Sequence, residues 1–377
     1  MTISRNVQAS SKANLKVSKL ASSISKYLII PSVALLLSAP AVLADDEKKG
    51  DEIQVKTKGG LEIKTADGEY SVQIGGRIQW DYNHSELNGV TDEDDFNTRR
   101  ARIYAKGNIG DDWSYKAQFN IGNNNGGTPE DLYITYGGWG KAAKVSIGNQ
   151  RVVFGLEDFT SSNDITALER SGITEQYGVA RQNSVRLHGQ IGDAYYSVSA
   201  FEDDGAPSND DFGLSGRVAY VPVKSDDMLI HVGAGFTQRG GDREAVGLEF
   251  AANFGAFHVQ SEYFDESQAG TDRDGYYIQA GWLLTGETRP YKDGKFKRVK
   301  PNADSGAWEV FVRMEEGDGN HSDIELGRVD ASAYTLGVNW YVANNVRLGM
   351  NYSDGDSNEA GSVDSGEEFR VRLQLTF

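Results

Sequence analysis

Residues 70–82 read YSVQIGGRIQWDY, and their side chains alternate between two chemical classes. Apolar residues or glycine occupy every even position from Tyr70 to Tyr82, whereas the odd positions carry Ser, Gln, Gly, Arg, Gln and Asp. A period of two residues is that of a β-strand with one apolar and one polar face. The stretch EFRVRLQLTF at 368–377 repeats the alternation. Both stretches are therefore predicted to be half-apolar strands.

The same period recurs along most of the chain and predicts an all-β fold. Sixteen segments show it, and most are close to the 9–11 residues that a tilted strand needs to cross a bilayer. They lie near residues 70–82, 98–109, 113–122, 130–136, 143–151, 184–191, 194–201, 213–221, 228–237, 245–254, 256–264, 274–284, 306–315, 331–342, 346–353 and 368–377.

The connections between these segments alternate in length, which is typical of an outer-membrane barrel. Tight turns are predicted at 110–112, 192–193, 255 and 343–345, and long loops at 83–97, 123–129, 152–183, 202–212, 265–273, 316–330 and 354–367. A soluble two-sheet sandwich also alternates, but it would bury its apolar face. Here five of the six tryptophans lie on the apolar parity, which suits aromatic girdles facing lipid. We therefore expect a sixteen-stranded antiparallel transmembrane β-barrel.

The N-terminal region has the composition of a secretory signal peptide. Residues 1–44 contain five Lys or Arg and no acidic residue, followed by an apolar run at 27–37 and by small residues up to Ala44. This order predicts cleavage after Ala44 and export to the Gram-negative outer membrane. The expected organisation is a signal peptide at 1–44, a periplasmic segment at 45–69 and the barrel at 70–377.

Composition excludes several other functions. The 377 residues include no cysteine and carry a formal net charge of −17. A thiolate site is therefore impossible, and the acidic balance argues against nucleic-acid binding. Beyond the N-terminus no apolar run approaches the length of a membrane helix. No cofactor and no metal are expected.

The polar parity is richer in basic than in acidic residues, in contrast to the chain as a whole. Its eleven basic members outnumber six acidic ones: Arg77, Arg100, Arg102, Lys106, Lys116, Arg186, Arg217, Arg313, Arg347, Arg370 and Arg372, against Asp81, Asp131, Glu249, Glu262, Glu309 and Glu368. If the apolar parity faces lipid, these residues line the lumen. A positive lumen concentrates anions and repels cations. Paired arginines and acids that merely fill space are the alternative for any single residue.

Two connections stand out as candidates for more than a turn. Residues 152–183 form the longest loop, and we expect it to fold inward and constrict the pore, with Ser161, Ser162 and Arg170 as lumen contacts. An external cap is the alternative. Residues 285–305 are long for the short-turn side and locally basic, which predicts a cationic patch at the periplasmic mouth.

Several blocks resemble the phosphate-selective porin O and P family from about residue 50 to the C-terminus. They are IQVKTKGGLEIKT (53–65), GGRIQWDY (75–82), FNTRRAR (96–102), TSSNDITALER (160–170), LLTGETRPYK (283–292), GAWEVFVR (306–313) and TLGVNWYV (335–342). The resemblance implies a trimeric sixteen-stranded barrel that passes anions, with phosphate or polyphosphate as the cargo.

The resemblance also assigns roles to particular residues. Arg77, the pair Arg99 and Arg100, and the loop residues Ser161, Ser162 and Arg170 match the family's constriction, and Lys56 and Lys58 match lysines near the N-terminus. Arg99 has the wrong parity and must occupy a rim or bulge to join Arg100. The sequence departs from the family at 238–244, where an arginine-rich insertion is missing, and at Asp158, where phosphate-selective members carry lysine.

An anion-preferring diffusion channel is the function that these features favour. A general small-solute porin with weak charge preference, and a structural or adhesive barrel, are the alternatives. An enzyme is not expected, because the lumen histidines 188, 231 and 258 lie on different strands and no G-x-S-x-G or H-E-x-x-H spacing occurs. Expected partners are small anions, outer-membrane lipid and lipopolysaccharide, two further copies of the chain, and the outer-membrane assembly machinery through the C-terminal Phe377.

Overall fold

A computed structural model describes most of the chain after residue 51. The described residues are 52–57, 60–122, 127–203, 212–225, 227–240, 242–268, 271–319, 329–359 and 362–377. The predicted signal peptide and Lys58 lie outside these ranges.

Two short strands precede the barrel, β1 (Ile53–Lys56) and β2 (Leu61–Thr65), which pair as a hairpin. Strand β2 continues the sheet by pairing with the first residues of β3, with Leu61 opposite Ile74. The hairpin falls within the predicted segment 45–69, whose periplasmic location remains a prediction.

Sixteen strands of the described part form the barrel. They are β3 (Ser71–Leu87), β4 (Val90–Ile109), β5 (Trp113–Asn120), β6 (Thr128–Tyr136), β7 (Lys144–Arg151), β8 (Arg181–Ile191), β9 (Ala194–Glu202), β10 (Phe212–Lys224), β11 (Met228–Arg239), β12 (Arg243–Phe254), β13 (Phe257–Gln268), β14 (Thr271–Leu283), β17 (Ala307–Gly319), β18 (Val329–Ala343), β19 (Val346–Glu359) and β20 (Ser362–Thr376). Each predicted strand corresponds to one of them.

The sheet closes on itself, so the sixteen strands leave no free edge. Each strand is antiparallel to its neighbours, and β20 pairs with β3 from Thr376 opposite Arg77 to Gly366 opposite Leu87. Two backbone hydrogen bonds finish the seam: Gly76 N–H donates to the Phe377 carbonyl at 2.9 Å, and Phe377 N–H donates to the Gly76 carbonyl at 3.1 Å.

Burial along the strands is the inverse of that in a soluble protein. In β8, Ser184 and Arg186 are 7% and 9% exposed, whereas Val185 and Leu187 are 50% and 41% exposed. Polar side chains therefore point into the barrel and apolar ones outward. An apolar exterior is stable against hydrocarbon rather than water. This confirms the prediction that the apolar parity faces lipid and the polar parity faces the lumen.

Tryptophans gather at the end of the barrel that carries the turns after β4, β6, β14 and β18. Trp113 packs on Tyr136 and Tyr136 on Trp139, with ring centroids 5.0 and 5.2 Å apart. Further round the barrel, the rings of Trp308 and Trp340 stack at 5.3 Å. Aromatic side chains at this level form the girdle expected at a membrane interface.

Several long loops predicted from the sequence are wrong, because strands extend through them. The segment predicted as a loop over 83–97 belongs to β3 and β4, which turn at Asn88-Gly89, both with positive φ. Strands β19 and β20 likewise take up most of 354–367. These strand extensions are rich in acidic residues and lack the apolar alternation, because a strand beyond the bilayer has no lipid to contact. The pattern that predicts the other strands is therefore missing there.

Two connections turn inward and carry the remaining regular elements. The first, residues 152–180, is called the inward segment here; it contains the short helices α1 (Leu156–Phe159) and α2 (Gly172–Tyr177). The second contains strands β15 (Tyr291–Lys292) and β16 (Lys295–Phe296), and residues 289–299 are called the inward hairpin. Within the described ranges no helix has the length and apolar character to cross a membrane.

Candidate functional site

The barrel encloses a cavity of about 970 Å³ between the inward segment, the inward hairpin and the wall formed by β3–β10. Fifteen Lys or Arg and five Asp or Glu line this cavity. An enclosed space with this excess of positive charge attracts anions, because its low-dielectric walls focus the field of the side chains.

Wall arginines hold the inward segment by its backbone. Arg347 donates to the carbonyls of Ile165, at 2.8 Å, and Thr166, and Arg313 donates to the carbonyl of Glu169 at 3.0 Å. Arg372 donates to the carbonyl of Leu168. A loop inside a barrel must satisfy its peptide groups without a strand partner, and these charged donors do so.

Wall carboxylates accept hydrogen bonds from backbone N–H groups of the same segment. Glu262 accepts the N–H groups of Leu156, at 2.5 Å, and Glu157, at 2.9 Å, where α1 begins. Glu315 accepts the N–H of Gly172 at 2.6 Å, where α2 begins. The inward segment is therefore fixed to β13 and β17–β20, and the open part of the lumen lies on the β3–β10 side.

An apolar cluster completes this attachment. Phe154 and Tyr177 of the inward segment pack on Phe264 of β13, with ring centroids 5.3 and 5.4 Å from it. All three side chains are at most 1% exposed. The prediction that residues 152–183 fold inward agrees with these contacts.

The paired arginines of β4 meet at one carboxylate. The register of β3 and β4 slips between Gln79 and Trp80, so that Arg99 is an extra residue, as its parity required. Arg100 donates to both oxygens of Glu169, at 2.8 and 2.7 Å, and Arg99 reaches Glu169 at 3.1 Å. Burial would raise the pKa of Glu169, but the hydrogen bond and charge of Arg100, with Arg372 and Arg99, hold that pKa well below its usual range.

Arg77 has neutral partners on the inward segment. Its Nη1 donates to Ser162 Oγ and to Asn163 Oδ1, both at 2.9 Å, and the residue is 6% exposed. Among the described residues it has no carboxylate within ion-pair distance. Ser161 and Ser162 line the cavity with it, as the sequence predicted.

Half of the other twelve cations of the cavity are ion-paired within the described residues. Arg102 pairs with Glu130, Lys116 with Asp131, and Arg151 with Asp158. Arg181 bridges Glu130 and Asp131 at 2.9 and 2.7 Å. Arg151 and Arg181 were not predicted from the sequence, because they flank the inward segment where alternation stops. Their positions at the two ends of the longest connection were the available signal.

Arg170 lines the cavity but its guanidinium is used inside the inward segment. It donates to the carbonyls of Glu157, at 3.2 Å, and Thr160, at 2.9 Å, and pairs with Glu175 at 3.3 Å. Arg170 therefore shapes the segment rather than offering a free charge.

Several predicted lumen residues do not line this cavity. Arg217 pairs with Glu249 at 2.6 Å, and Arg370 pairs with Glu368 at 2.7 Å. Arg313, Arg347 and Arg372 are occupied by the inward segment, as described above. Lys106 is exposed, with Nζ 5.3 Å from the Tyr104 ring centroid. Arg186 does line the cavity, as do Arg77, Arg99, Arg100, Arg102 and Lys116.

The inward hairpin turns at Asp293-Gly294, both with positive φ, which suits a two-residue β-turn. A Cβ on Gly294 would lie 2.7 Å from the Tyr195 ring, so the tip fits the wall only without a side chain. Lys292, Lys295 and Lys297 line the cavity. The predicted cationic patch is thus partly internal, and Arg289 lies outside any exposed patch: it is 3% exposed and donates to Gln260 at 3.0 Å.

Sites for other chemistry are sparse in the part of the chain that the structure describes. No group of three or more His, Asp or Glu side chains there is arranged to hold a metal ion. The two arginines of the shortened connection at 238–244 are paired, Arg239 with Asp203 at 2.9 Å and Arg243 with Glu266 at 2.5 Å.

Comparison with known proteins places the chain in a family. The family model described as phosphate-selective porin O and P matches residues 72–245 and 224–377. Porin O of Pseudomonas aeruginosa is 31% identical, over 93% of this chain and 98% of that protein. An uncharacterized protein of Caulobacter vibrioides is 25% identical, over 86% of this chain and 77% of that protein. The family consists of channels.

Solved structures share the fold. An anion-selective porin from Comamonas acidovorans matches 82% of this chain and all of its own with a TM-score of 0.55 and 14% identity. OmpT of Vibrio cholerae, in a trimer form, matches 82% of this chain and 99% of its own with a TM-score of 0.54 and 14% identity. The chain belongs to the phosphate-selective porin O and P family and is an anion-preferring channel of the Gram-negative outer membrane.

Proposed function

We propose that small anions diffuse through the cavity between the inward segment and the β3–β10 wall. The observation that carries this proposal is the fifteen-to-five excess of basic over acidic side chains around the cavity, in a chain whose net charge is −17. Arg77, Arg99, Arg100, Ser161 and Ser162 form the constriction. Passage needs binding that is favourable enough for entry and weak enough for release.

The cargo is phosphate-like or another small oxyanion, held weakly. The carboxylates of Glu130, Asp131, Asp158 and Glu169 already neutralise much of the arginine and lysine charge. A tight phosphate trap needs several uncompensated cations to offset the desolvation of the anion. Asp158 lies where phosphate-selective members carry a lysine, so this chain has a carboxylate in place of one of those cations. We therefore infer an anion preference broader than phosphate.

Transport without catalysis is the inferred activity. His231 lies 3.0 Å from Glu249 and His258 lies 2.7 Å from Glu309, each pair buried in a different part of the wall. His188 contacts Ser146 at 3.0 Å on a third part. Histidines that serve separate strand contacts do not assemble a nucleophile, a base and an oxyanion site around one substrate.

The proposed partners follow from the exterior and the termini. We propose a homotrimer, embedded among lipid and lipopolysaccharide, that reaches the membrane after cleavage of residues 1–44. Phe377 directly follows the last strand and has 46% of its surface exposed, which suits recognition by the outer-membrane assembly machinery.

Reversal potentials across planar bilayers test the proposal. In a potassium chloride gradient, the purified protein should give a potential with the sign of chloride selectivity. Changing Arg77 or the Arg99–Arg100 pair to Ala should move it toward zero. Lys300→Ala, which removes an exposed lysine outside the cavity lining, is the control. A potential of zero, or one of cation selectivity, in the unaltered protein would contradict the proposal.

A further inference from the structure

Two pairs of glycines face each other across neighbouring strands on the lumen side of the wall. Gly235 of β11 is paired with Gly247 of β12, and Gly275 of β14 is paired with Gly317 of β17. Each pair is called a glycine gap here. Because glycine has no side chain, another side chain can approach the strand backbone at such a gap more closely than elsewhere on the wall.

Phe154 of the inward segment enters the first gap. A Cβ on Gly235 would lie 3.0 Å from Phe154 Cδ2, and a Cβ on Gly247 would lie 3.3 Å from Phe154 Cε2 and 3.0 Å from the Phe264 ring. Phe154 is 0% exposed, and its ring already packs on Phe264. The ring has no free space to turn into, so a methyl group at Gly235 requires the inward segment to move.

Ile173 of α2 enters the second gap. A Cβ on Gly275 would lie 2.9 Å from Ile173 Cδ1, and a Cβ on Gly317 would lie 2.7 Å from the same atom. Carbon atoms that are not bonded prefer a separation of about 3.5–4.0 Å, so an added methyl group displaces Ile173 by up to about 1 Å. Ile173 is 6% exposed and belongs to the same apolar cluster as Phe154.

A displacement at either gap reaches the residues that line the cavity, because the inward segment is tied internally. Arg170 donates to the carbonyl of Thr160 at 2.9 Å, and the side chain of Glu157 accepts the N–H of Ser171 at 2.9 Å. These bonds join the start of α2 to α1 and to the stretch that carries the serines of the constriction. Closely packed elements transmit strain, so we expect the segment to move as a unit.

The gaps lie away from the open part of the lumen. Counted from β3, strands β11 and β12 are the ninth and tenth of the sixteen barrel strands, so the first gap lies across the barrel from β3 and β4. The cavity lies between the inward segment and the wall of β3–β10. A segment displaced from the gaps therefore moves into the cavity and narrows it.

We propose that Gly235, Gly247, Gly275 and Gly317 are positioning residues that set the width of the passage, because they allow the inward segment to lie directly against the wall backbone. This inference rests on the proposed passage of anions through the cavity and identifies what holds that passage open. The gaps carry no charge. They therefore govern how much current flows and not which ions carry it.

Single-channel conductance in planar bilayers tests the second gap. We expect Gly275→Ala to lower the conductance roughly 1.5-fold in a given potassium chloride solution, because the passage becomes narrower. Ile173→Val removes the Cδ1 methyl group that the new side chain would contact, and the next atoms lie 3.3 Å from that Cβ position. Adding Ile173→Val to Gly275→Ala should therefore restore most of the lost conductance. Ile173→Val alone should conduct like the intact protein.

Gly366→Ala is the matched control. Gly366 is also a strand glycine, and among the described residues its Cβ would meet the Glu86 carbonyl oxygen alone, at 3.8 Å. Its conductance should equal that of the intact protein. Alanine is otherwise favoured over glycine within a strand, so strand propensity does not explain a loss at Gly275. Unchanged conductance in Gly275→Ala, or a loss that Ile173→Val does not reverse, would overturn the role of the second gap.

Gly235→Ala provides an independent measurement at the first gap, which is available even where Gly275→Ala fails to insert into the bilayer. Its methyl group displaces Phe154, so its conductance should also fall; an unchanged conductance counts against the first gap. The reversal potential in a potassium chloride gradient, recorded on the same channels, reports the proposed function separately and should keep the sign of chloride selectivity in every variant. If that selectivity persists while neither glycine variant lowers the conductance, the inference is wrong and the anion channel stands.

Discussion

Arg100 and Glu169 form a two-point ion pair across the lumen, with Nη1 and Nη2 of the arginine 2.8 and 2.7 Å from the two carboxylate oxygens. Glu169 also receives Arg99, Arg372 and Arg370, so one carboxylate of the inward segment faces four wall arginines. Such an arrangement both fixes the segment and reduces the field that a passing anion meets.

Glu169→Gln should therefore increase anion selectivity. The change removes one negative charge beside four arginines, and we expect conductance at low salt to rise roughly twofold because the local anion concentration follows the potential. Single-channel recordings in dilute potassium chloride measure it. Glu175→Gln is the control, since Glu175 is an exposed acid of the same segment. A fall in conductance for Glu169→Gln would mean that its anchoring role dominates.

Asp158→Lys should strengthen phosphate block. Asp158 is 3% exposed and pairs with Arg151, so the substitution frees that arginine and adds a second cation. We expect the half-blocking phosphate concentration to fall roughly tenfold, the effect of about one charge-assisted hydrogen bond. Asp193→Lys, which adds the same charge at an exposed position in the cavity, tests whether any added lysine suffices. Equal effects of the two substitutions would refute a local role for Asp158.

Arg347→Met should loosen the inward segment. Arg347 is 2% exposed and holds the carbonyls of Ile165 and Thr166, so the loss leaves buried acceptors unsatisfied. We expect the free energy of unfolding to fall by about 2 kcal/mol or more, and single-channel conductance to rise and become noisier. Urea unfolding in detergent and bilayer recordings provide the two measurements. Arg239→Met, which breaks an ion pair with Asp203 outside the inward segment, should lower stability without added noise.

Alkaline pH should weaken anion binding earlier than ordinary lysines allow. A lysine loses its charge as pH rises through its pKa, and the pKa of Lys295 is lowered by burial and by neighbouring cations. Phosphate block should therefore decline at a pH below the ordinary lysine value of about 10.4. Lys295→Arg keeps its charge at these pH values and should abolish the decline. A parallel decline in Lys295→Arg would assign the effect to another group.

The barrel could be predicted from the sequence because lipid and water impose opposite preferences on alternate residues. That constraint acts on every membrane-crossing strand, so sixteen segments were recognisable one at a time. It also predicted that Arg99 lies at a rim or a bulge, because two adjacent residues cannot share one parity, and the structure has Arg99 at a bulge. Beyond the bilayer the constraint disappears, so the sequence pattern predicts loops where β3, β4, β19 and β20 continue as strands.

The contacts of the candidate site were not predictable in the same way. Arg99 and Glu169 are 70 residues apart, and Arg347 and Ile165 are 182 apart, so their meeting depends on how two inward connections pack in the lumen. A pattern of neighbouring residues does not indicate contacts between residues so far apart in the sequence. One local signal does mark the inward hairpin: Asp293-Gly294 between Lys292 and Lys295 is the dipeptide of a tight hairpin turn.

The seam between β20 and β3 has a consequence for biogenesis. One edge of β3 (residues 71–87) forms its hydrogen bonds with β20 (residues 362–377), which lies nearly three hundred positions later in the chain. Before that pairing the sheet has two edge strands with unpaired backbone N–H and C=O groups, and its outer face is apolar. In the aqueous periplasm such a state is prone to aggregation. The barrel sheet is therefore complete only when its last strand has paired with its first.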